Sequence, residues 1–224
     1  MLRRILSIYL SLLTLPCLVH SSAWAKNPPV TGSPLTVSIY NEAGLASAAL
    51  AEAERAASSI FHDAGIDVTW LNCGDPHELS AASTSCRETV APTHLQLRIL
   101  KRSAGLSESA FGVSYLNTDG GCYSDIFLEP IQELRAHEGF QVDLGIMLGT
   151  VAAHEIGHLL LGVNSHSPSG IMRPHWHYDD LSATRRRTMV FTDEQGQAMR
   201  SRLAATPTTT HTQPSAPPTA PSGF

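Results

Sequence analysis

The chain has 224 residues and a formal charge of −5, which suits one ordinary globular domain better than two. An acidic balance argues against nucleic acid and anionic membranes as partners, because both select basic faces. Beyond the first two dozen residues no stretch is apolar for long enough to cross a bilayer, so no stable membrane anchor is expected.

Met1-Leu2-Arg3-Arg4 is a short basic start, and an apolar run from Ile5 to Val19 follows it. Ala23-Trp24-Ala25 then offers small residues at the two positions a signal peptidase reads. Residues 1–25 are therefore predicted to be a secretory signal peptide, cleaved before Lys26, which places the chain outside the cytoplasm as an extracellular or periplasmic protein. The run is interrupted by Pro16 and is too short for a hydrocarbon layer of about 30 Å. Cys17 goes with the signal, since Leu15-Pro16 is a poor lipidation context. Residues 26–34 form a short linker with no room for a folded inhibitory propeptide.

Leu35 to Tyr40 alternates apolar and polar residues, which is strand patterning. Asn41 is expected to open an alanine-rich helix. Its apolar stripe runs through Ala46, Ala49, Leu50, Ala53, Ala57, Ile60, Phe61 and Ala64, and Gly65 stands at the cap. Ile66, Val68 and Trp70 mark a second strand. Residues 72–93 are polar and broken by Gly74, Asp75 and Pro76, so they read as a loop. Leu95, Leu97 and Ile99 mark a third strand, Phe111 to Leu116 a fourth, and Cys122 to Leu128 a fifth after the turn Asp119-Gly120-Gly121. Asp143 caps a long apolar helix that runs to Leu161, with Gly162 just past its end. Thr192 and Gln195 have capping-box spacing and open a short helix to about Leu203. From Ala204 to Phe224 the chain is Thr, Pro, Ser and Ala, a composition that buries no core and predicts a disordered tail.

This order gives an α/β (α+β) layout: a mixed, twisted sheet of about five strands packed on two long helices, then a small irregular C-terminal part with one helix. The folded domain is expected over residues 35–203. Three cysteines remain after cleavage. Cys73 and Cys86 share one polar stretch and are the natural disulfide pair in an oxidising compartment, although three cysteines allow three single bridges. Cys122 is then left over. It reads as a buried thiol, a disulfide partner or, more sharply, a thiolate able to silence a nearby metal reversibly. Arg185-Arg186-Arg187 reads as a solvated loop face.

The chemistry concentrates in His154-Glu155-Ile156-Gly157-His158. Residues four apart share a helix face, so both imidazoles reach one ion, and neutral imidazole is a good ligand for Zn2+. Glu155 stands where its carboxylate can take a proton from a zinc-bound water and so act as catalytic base. The motif sits between Val151-Ala152-Ala153 and Leu159-Leu160-Leu161, where unpaired polar groups would be costly, which favours a metal over chance. A third ligand is needed. His166 fits, because Gly162 lets the chain turn back and bring a histidine in from outside the helix. His175, His177 and Asp179, around Trp176, lie further along.

The stretch from His154 to Met172 resembles the active site of the metzincin clan of zinc peptidases, which includes matrix metalloproteinases and astacins. The clan pattern is His-Glu-x-x-His-x-x-Gly-x-x-His followed by a methionine in a tight turn. Here Leu161 fills the glycine position and Gly162 follows one residue late; Asn164 fills the third-histidine position and His166 follows two residues late. The resemblance implies His154, His158 and His166 as zinc ligands, Glu155 as base and Met172 as the turn methionine. The clan's tyrosine two residues past that methionine is Pro174 here, so that device is missing; Tyr178, His175 and His177 are the nearby polar groups. The short format also resembles uncharacterised bacterial secreted proteins regarded as metzincin-like peptidases. At fold level the likeness covers about Leu35 to Met172, with Phe111 to Leu116 as the edge strand that pairs with extended substrate.

The sequence thus leads to a secreted zinc metalloendopeptidase acting on peptide or protein substrates. Its rivals are a zinc hydrolase of another substrate class and a catalytically inactive zinc-binding module. Nothing in the sequence fixes an oligomeric state.

Overall fold

Alternation sets the sheet. In β1 (Ser33–Asn41) Leu35, Val37 and Ile39 point to one face, and in β3 (His94–Leu100) Leu95, Leu97 and Ile99 do the same. The two strands pair in parallel with Val37 opposite Leu95 and Ile39 opposite Leu97, so one continuous apolar face forms. The computed structural model describes residues 32–74, 85–86, 92–105, 110–117, 120–136, 142–164, 166–176 and 189–205. The predicted signal peptide, the tail beyond Ala205 and Arg185-Arg186-Arg187 lie outside them.

Five strands run in the order β2-β1-β3-β5-β4, where β2 is Ile66–Cys73, β4 is Gly112–Asn117 and β5 is Gly120–Phe127. β1, β2, β3 and β5 are mutually parallel and β4 runs antiparallel on the edge beside β5. The mixed sheet and two long helices match the layout expected from the sequence. The β4–β5 register slips between Tyr115 and Leu116, and Cys122 is the residue passed over. The side chain of Cys122 is outside the description, so no role for it follows from the fold.

Helix α1 (Ser47–Asp63) connects β1 to β2 and buries Ala53, Ala57, Ile60 and Phe61. It starts later than Asn41. Asn41 ends β1 instead, and its side-chain amide brackets the turn by donating to the Leu45 carbonyl and accepting from the Leu45 N–H. Local side-chain bonding of this kind is what makes asparagine a turn residue. Gly65, with φ +74°, follows the last turn as expected, and its N–H donates to the His62 carbonyl. The fifth strand also ends one residue early. Leu128 opens α2 (Leu128–Ala136), which the sequence reading did not include; Pro130 is tolerated in its first turn, where no intrahelical N–H bond is lost.

α3 (Leu144–Leu161) is the central helix. Asp143 caps it, its Oδ1 accepting from the N–H groups of Gly145 at 2.7 Å and Ile146 at 3.3 Å. Contrary to the expectation from the sequence, α3 is by length and composition apolar enough for a membrane span, but 83% of it is buried inside this fold, as a core helix is. It lies against α1 through small residues: a Cβ on Gly149 would collide with the Ala53 carbonyl and with Ala56. α4 (Asp193–Ala205) closes the far side with Met199 and Leu203, and Phe191 ahead of it meets Phe61 at 5.3 Å between ring centroids. Its capping box is formed, with Thr192 N–H donating to Gln195 Oε1 at 2.9 Å and Gln195 N–H to Thr192 Oγ1 at 3.3 Å. Cys73, the last residue of β2, is disulfide-bonded to Cys86. Tyr40 donates its hydroxyl to the Cys86 carbonyl at 2.8 Å, so the bridge is pinned to the polar face of the sheet.

Candidate metal centre

His154 and His158 leave α3 on the same face, one turn apart, and both are buried. Each ring is oriented by a carbonyl. The Nδ1–H of His154 donates to Ile171 O at 2.8 Å, and that of His158 to Val163 O at 3.0 Å. A carbonyl only accepts, so Nδ1 carries the proton and Nε2 keeps its lone pair. The two Nε2 atoms face each other at 3.1 Å. Two lone pairs at that distance repel unless a cation lies against both. Carbonyl-oriented imidazoles of this kind are the usual support of a metal ligand.

His166 completes the group. The available ligand atoms of His154, His158 and His166 all lie within 4.8 Å of one another. The longer spacing is taken up just past the helix. Gly162 sits in the left-handed region at φ +71° with its N–H on the His158 carbonyl, and Val163 then turns its own carbonyl onto the His158 ring. From there the chain returns to place the His166 ring 4.8 Å from that of His158 and 5.4 Å from that of His154. Burial pushes His154 down to about 4 and lowers His158 and His166 as well. All three are therefore held neutral, the form that binds metal.

Met172 is fully buried beneath the helix. A Cβ on Gly157 would come within 2.8 Å of Met172 Sδ and 2.7 Å of Phe191, so the glycine between the two histidines is what lets the methionine approach. The turn carrying it is closed by Ser167 N–H on the Met172 carbonyl and by Ile171 N–H on the Val190 carbonyl. Ile171 thus both holds this turn in place and orients His154.

Glu155 lines the same cleft as His154 and meets β4 through Ser114. Its carboxylate accepts from the Ser114 hydroxyl at Oε2, 2.7 Å away, and the Ser114 Oγ is 2.8 Å from the Glu155 carbonyl and 2.9 Å from Ser124 Oγ. Burial raises the Glu155 carboxyl to about 7, with the Ser114 hydrogen bond pulling the other way. A neutral-range carboxyl beside a cleft is suited to proton transfer. Gly112 leaves the space beside it: a Cβ there would lie 2.7 Å from both Cγ and Oε1 of Glu155.

These groups open on a cleft of about 550 Å³, lined by Phe111, Gly112, Val151, His154, Glu155, His166, His175 and Trp176 among others. Trp176 sets its ring edge-on to His154 at 5.7 Å and 6.4 Å from Phe111, giving the cleft an aromatic wall. Of the other residues singled out from the sequence, His175 lines the cleft but is outside the three-histidine group. His177, Tyr178 and Asp179 lie outside the described residues. Gly112, Ser114, Ser124 and Trp176 are site residues that the sequence reading passed over. Gly112 had a signal, since a glycine inside a strand pattern often marks a close backbone approach. Ser114 had a fainter one, as a small polar residue at an inward strand position.

No family model matches the sequence, and no curated protein matches it. Solved structures do resemble the fold. A zinc-dependent peptidase from Methanocorpusculum labreanum superposes with a TM-score of 0.52 at 14% identity, covering 73% of this chain and 99% of its own. Archaemetzincin from Methanopyrus kandleri gives a TM-score of 0.47 at 15% identity, covering 77% of this chain and 97% of its own. At these identities the likeness to the first is one of fold: the chain has the sheet-and-helix architecture found in that peptidase.

Proposed function

We propose that this chain is a secreted zinc-dependent metalloendopeptidase. The observation that carries the reading is the convergence of three neutral imidazoles, within 4.8 Å, beside a buried carboxyl that faces a cleft. The fold shared with a zinc-dependent peptidase supports it. His154, His158 and His166 would hold the ion, the first two through Nε2. Three neutral nitrogen donors fit Zn2+ and leave a coordination position open, as catalytic zinc requires. Zinc bound there supplies a Lewis acid for a scissile carbonyl and makes water acidic enough to give up a proton near neutral pH.

The protein supplies the rest. Oε1 of Glu155, free of the Ser114 hydrogen bond, takes the proton of the attacking water and delivers it to the leaving amine nitrogen. The main chain of β4, at the edge of the sheet, offers its N–H and C=O groups to an extended peptide. That edge lies next to Gly112 and Glu155, so a paired strand runs past the base. The aromatic wall of Phe111 and Trp176 receives apolar side chains of the substrate.

The deciding experiment incubates the mature, zinc-loaded protein with an unfolded protein substrate beside Glu155→Gln. The wild type should cleave internal bonds; Glu155→Gln should lose at least about 100-fold in rate with its zinc content unchanged. Equal inactivity of both proteins at full zinc content would sink the peptidase reading and leave a binding module or a hydrolase of another substrate class.

A further inference from the structure

We propose that Ser114, backed by Ser124, is the positioning residue that holds Glu155 for catalysis and ties it to the substrate-binding strand; this rests on the peptidase reading above. The Ser114 hydroxyl has one proton and three oxygen neighbours: Glu155 Oε2 at 2.7 Å, Glu155 O at 2.8 Å and Ser124 Oγ at 2.9 Å. If Ser124 donates to Ser114, the Ser114 proton is directed onto Glu155. The order Ser124 to Ser114 to Glu155 is then a short relay of donors that ends on the carboxylate.

Two features make the arrangement specific. Among the described residues Ser114 is the sole hydrogen-bond partner of the Glu155 carboxylate. The carboxylate's two oxygens also have separate surroundings: Oε2 is bound by Ser114, whereas Oε1 packs against Gly112, where a Cβ would come within 2.7 Å of it. Oε2 is thus fixed, and Oε1, which accepts no hydrogen bond among the described residues, is the oxygen left to take a proton. A carboxylate on a rotatable side chain would otherwise sample several orientations, and a misplacement of about 1 Å at a reacting group costs on the order of 100-fold.

Ser114 also sits in the middle of β4. Gly112, Ser114 and Leu116 alternate toward α3, and the intervening Tyr115 is exposed. The hydroxyl is a direct polar tie between β4 and α3, since it reaches both the side chain and the main chain of Glu155. A peptide that pairs with the outer edge of β4 presses on the same strand that positions the base. The base is therefore held by the same strand with which an extended substrate would pair.

The test compares Ser114→Ala and Ser114→Thr with the wild-type mature protein. In Ser114→Ala, zinc stoichiometry and KM should stay within about twofold, while kcat falls about 10- to 100-fold. Ser114→Thr keeps the hydroxyl and should recover most of the loss. Crystals of the metal-free proteins give a readout independent of turnover: the Glu155 carboxylate should leave its position by more than about 1 Å in Ser114→Ala and keep it in Ser114→Thr. An unchanged kcat, an unmoved carboxylate, or a loss that Thr does not restore would each overturn the assignment. Should Ser114→Ala fail to fold, Ser124→Ala must lower kcat in the same direction with Ser114 in place, and an unchanged kcat there is equally fatal. A wild type inactive on every protein substrate would defeat the peptidase reading, and the carboxylate position alone would then decide this one.

Discussion

Gly112→Ala isolates the contact between the edge strand and Glu155, because it adds one methyl group and nothing else. That Cβ would lie 2.7 Å from Cγ and Oε1 of Glu155 and 2.9 Å from the Asp125 carbonyl. Ordinary contacts of a methyl carbon are 3.5 Å or more, so about 0.8 Å has to be found. The Asp125 carbonyl is main chain in β5, where Asp125 lies opposite Val113 and Ile126 opposite Gly112 across the ladder, and cannot yield. The glutamate side chain is the flexible partner and should be displaced. The overpacking costs about 1–3 kcal/mol, which for a domain of this size is about 2–4 °C of melting temperature per kcal/mol. A shift near 1 Å at a proton-transferring oxygen should lower kcat about 100-fold. The assay pairs thermal unfolding with steady-state cleavage of a fluorogenic peptide at fixed zinc. A protein that melts within 1 °C or so of wild type and keeps kcat within about twofold would refute the reasoning, since it would mean that Glu155 does not occupy the space beside Gly112.

Further expectations follow from the same geometry. His166→Ala should weaken zinc binding by at least 10-fold, read by competition with a chromophoric chelator, and leave the metal-free melting temperature close to wild type because the ring is exposed. Zinc at about 100 times its dissociation constant should stabilise the protein by about 2.7 kcal/mol, and a chelator should reverse the gain in calorimetry. In the metal-free protein two buried groups have opposite linkage. Glu155 rises from 4.5 to about 7 on folding, so its contribution is lost as pH rises through that window; His154 drops from 6.5 to about 4, so its contribution is lost as pH falls through that one. They oppose each other between about pH 4.5 and 6.5, and Glu155→Gln should therefore add about 1.4 kcal/mol per pH unit to the upward slope of stability there, measured by urea titration. An unchanged slope would mean that the carboxyl is not buried. Cys86→Ser opens a link spanning 13 positions and should cost about 3 kcal/mol, visible as a lower urea midpoint.

Helix α3 was the most legible part of the sequence. An apolar run carrying His154, Glu155 and His158 has few ways to satisfy three buried polar groups, so composition and spacing point the same way. Its caps, Asp143 and Gly162, are local signals and are formed as expected. The strands were legible from alternation, and β4 was found with its edge position expected from the resemblance. Errors gathered where local chemistry has two uses. Asn41 serves as a cap in one context and as a turn bracket in another, and only the length of the connection before Ser47 decides between them. Ser114 carried only the faint signal of a small polar residue at an inward strand position, because its importance depends on β4 lying opposite Glu155, a pairing 41 residues apart in sequence that no local pattern encodes. The approach of His166 is non-local in the same way, set by the Gly162 turn and the use of the Val163 carbonyl.

The two halves of the site have different supports, and this explains how a displaced third histidine is accommodated. His154 is oriented by Ile171, whose N–H is fixed in turn on Val190; Glu155 is oriented by Ser114 from the sheet edge. Neither support involves the segment between Gly162 and His166. His154, His158 and Glu155 are therefore set independently of the path of that segment, apart from the one carbonyl of Val163 that orients His158. Extra length can enter there as long as Val163 keeps that bond and the following chain returns a donor within reach of the other two. The corollary is a test by insertion. One glycine added between Val163 and Asn164 should leave the melting temperature of the metal-free protein nearly unchanged, because loop closure varies only logarithmically with length. Zinc affinity should fall far less than in His166→Ala. A loss as large as in His166→Ala would show that the return path is fixed to a single length, and that the spacing in this chain is specified rather than tolerated.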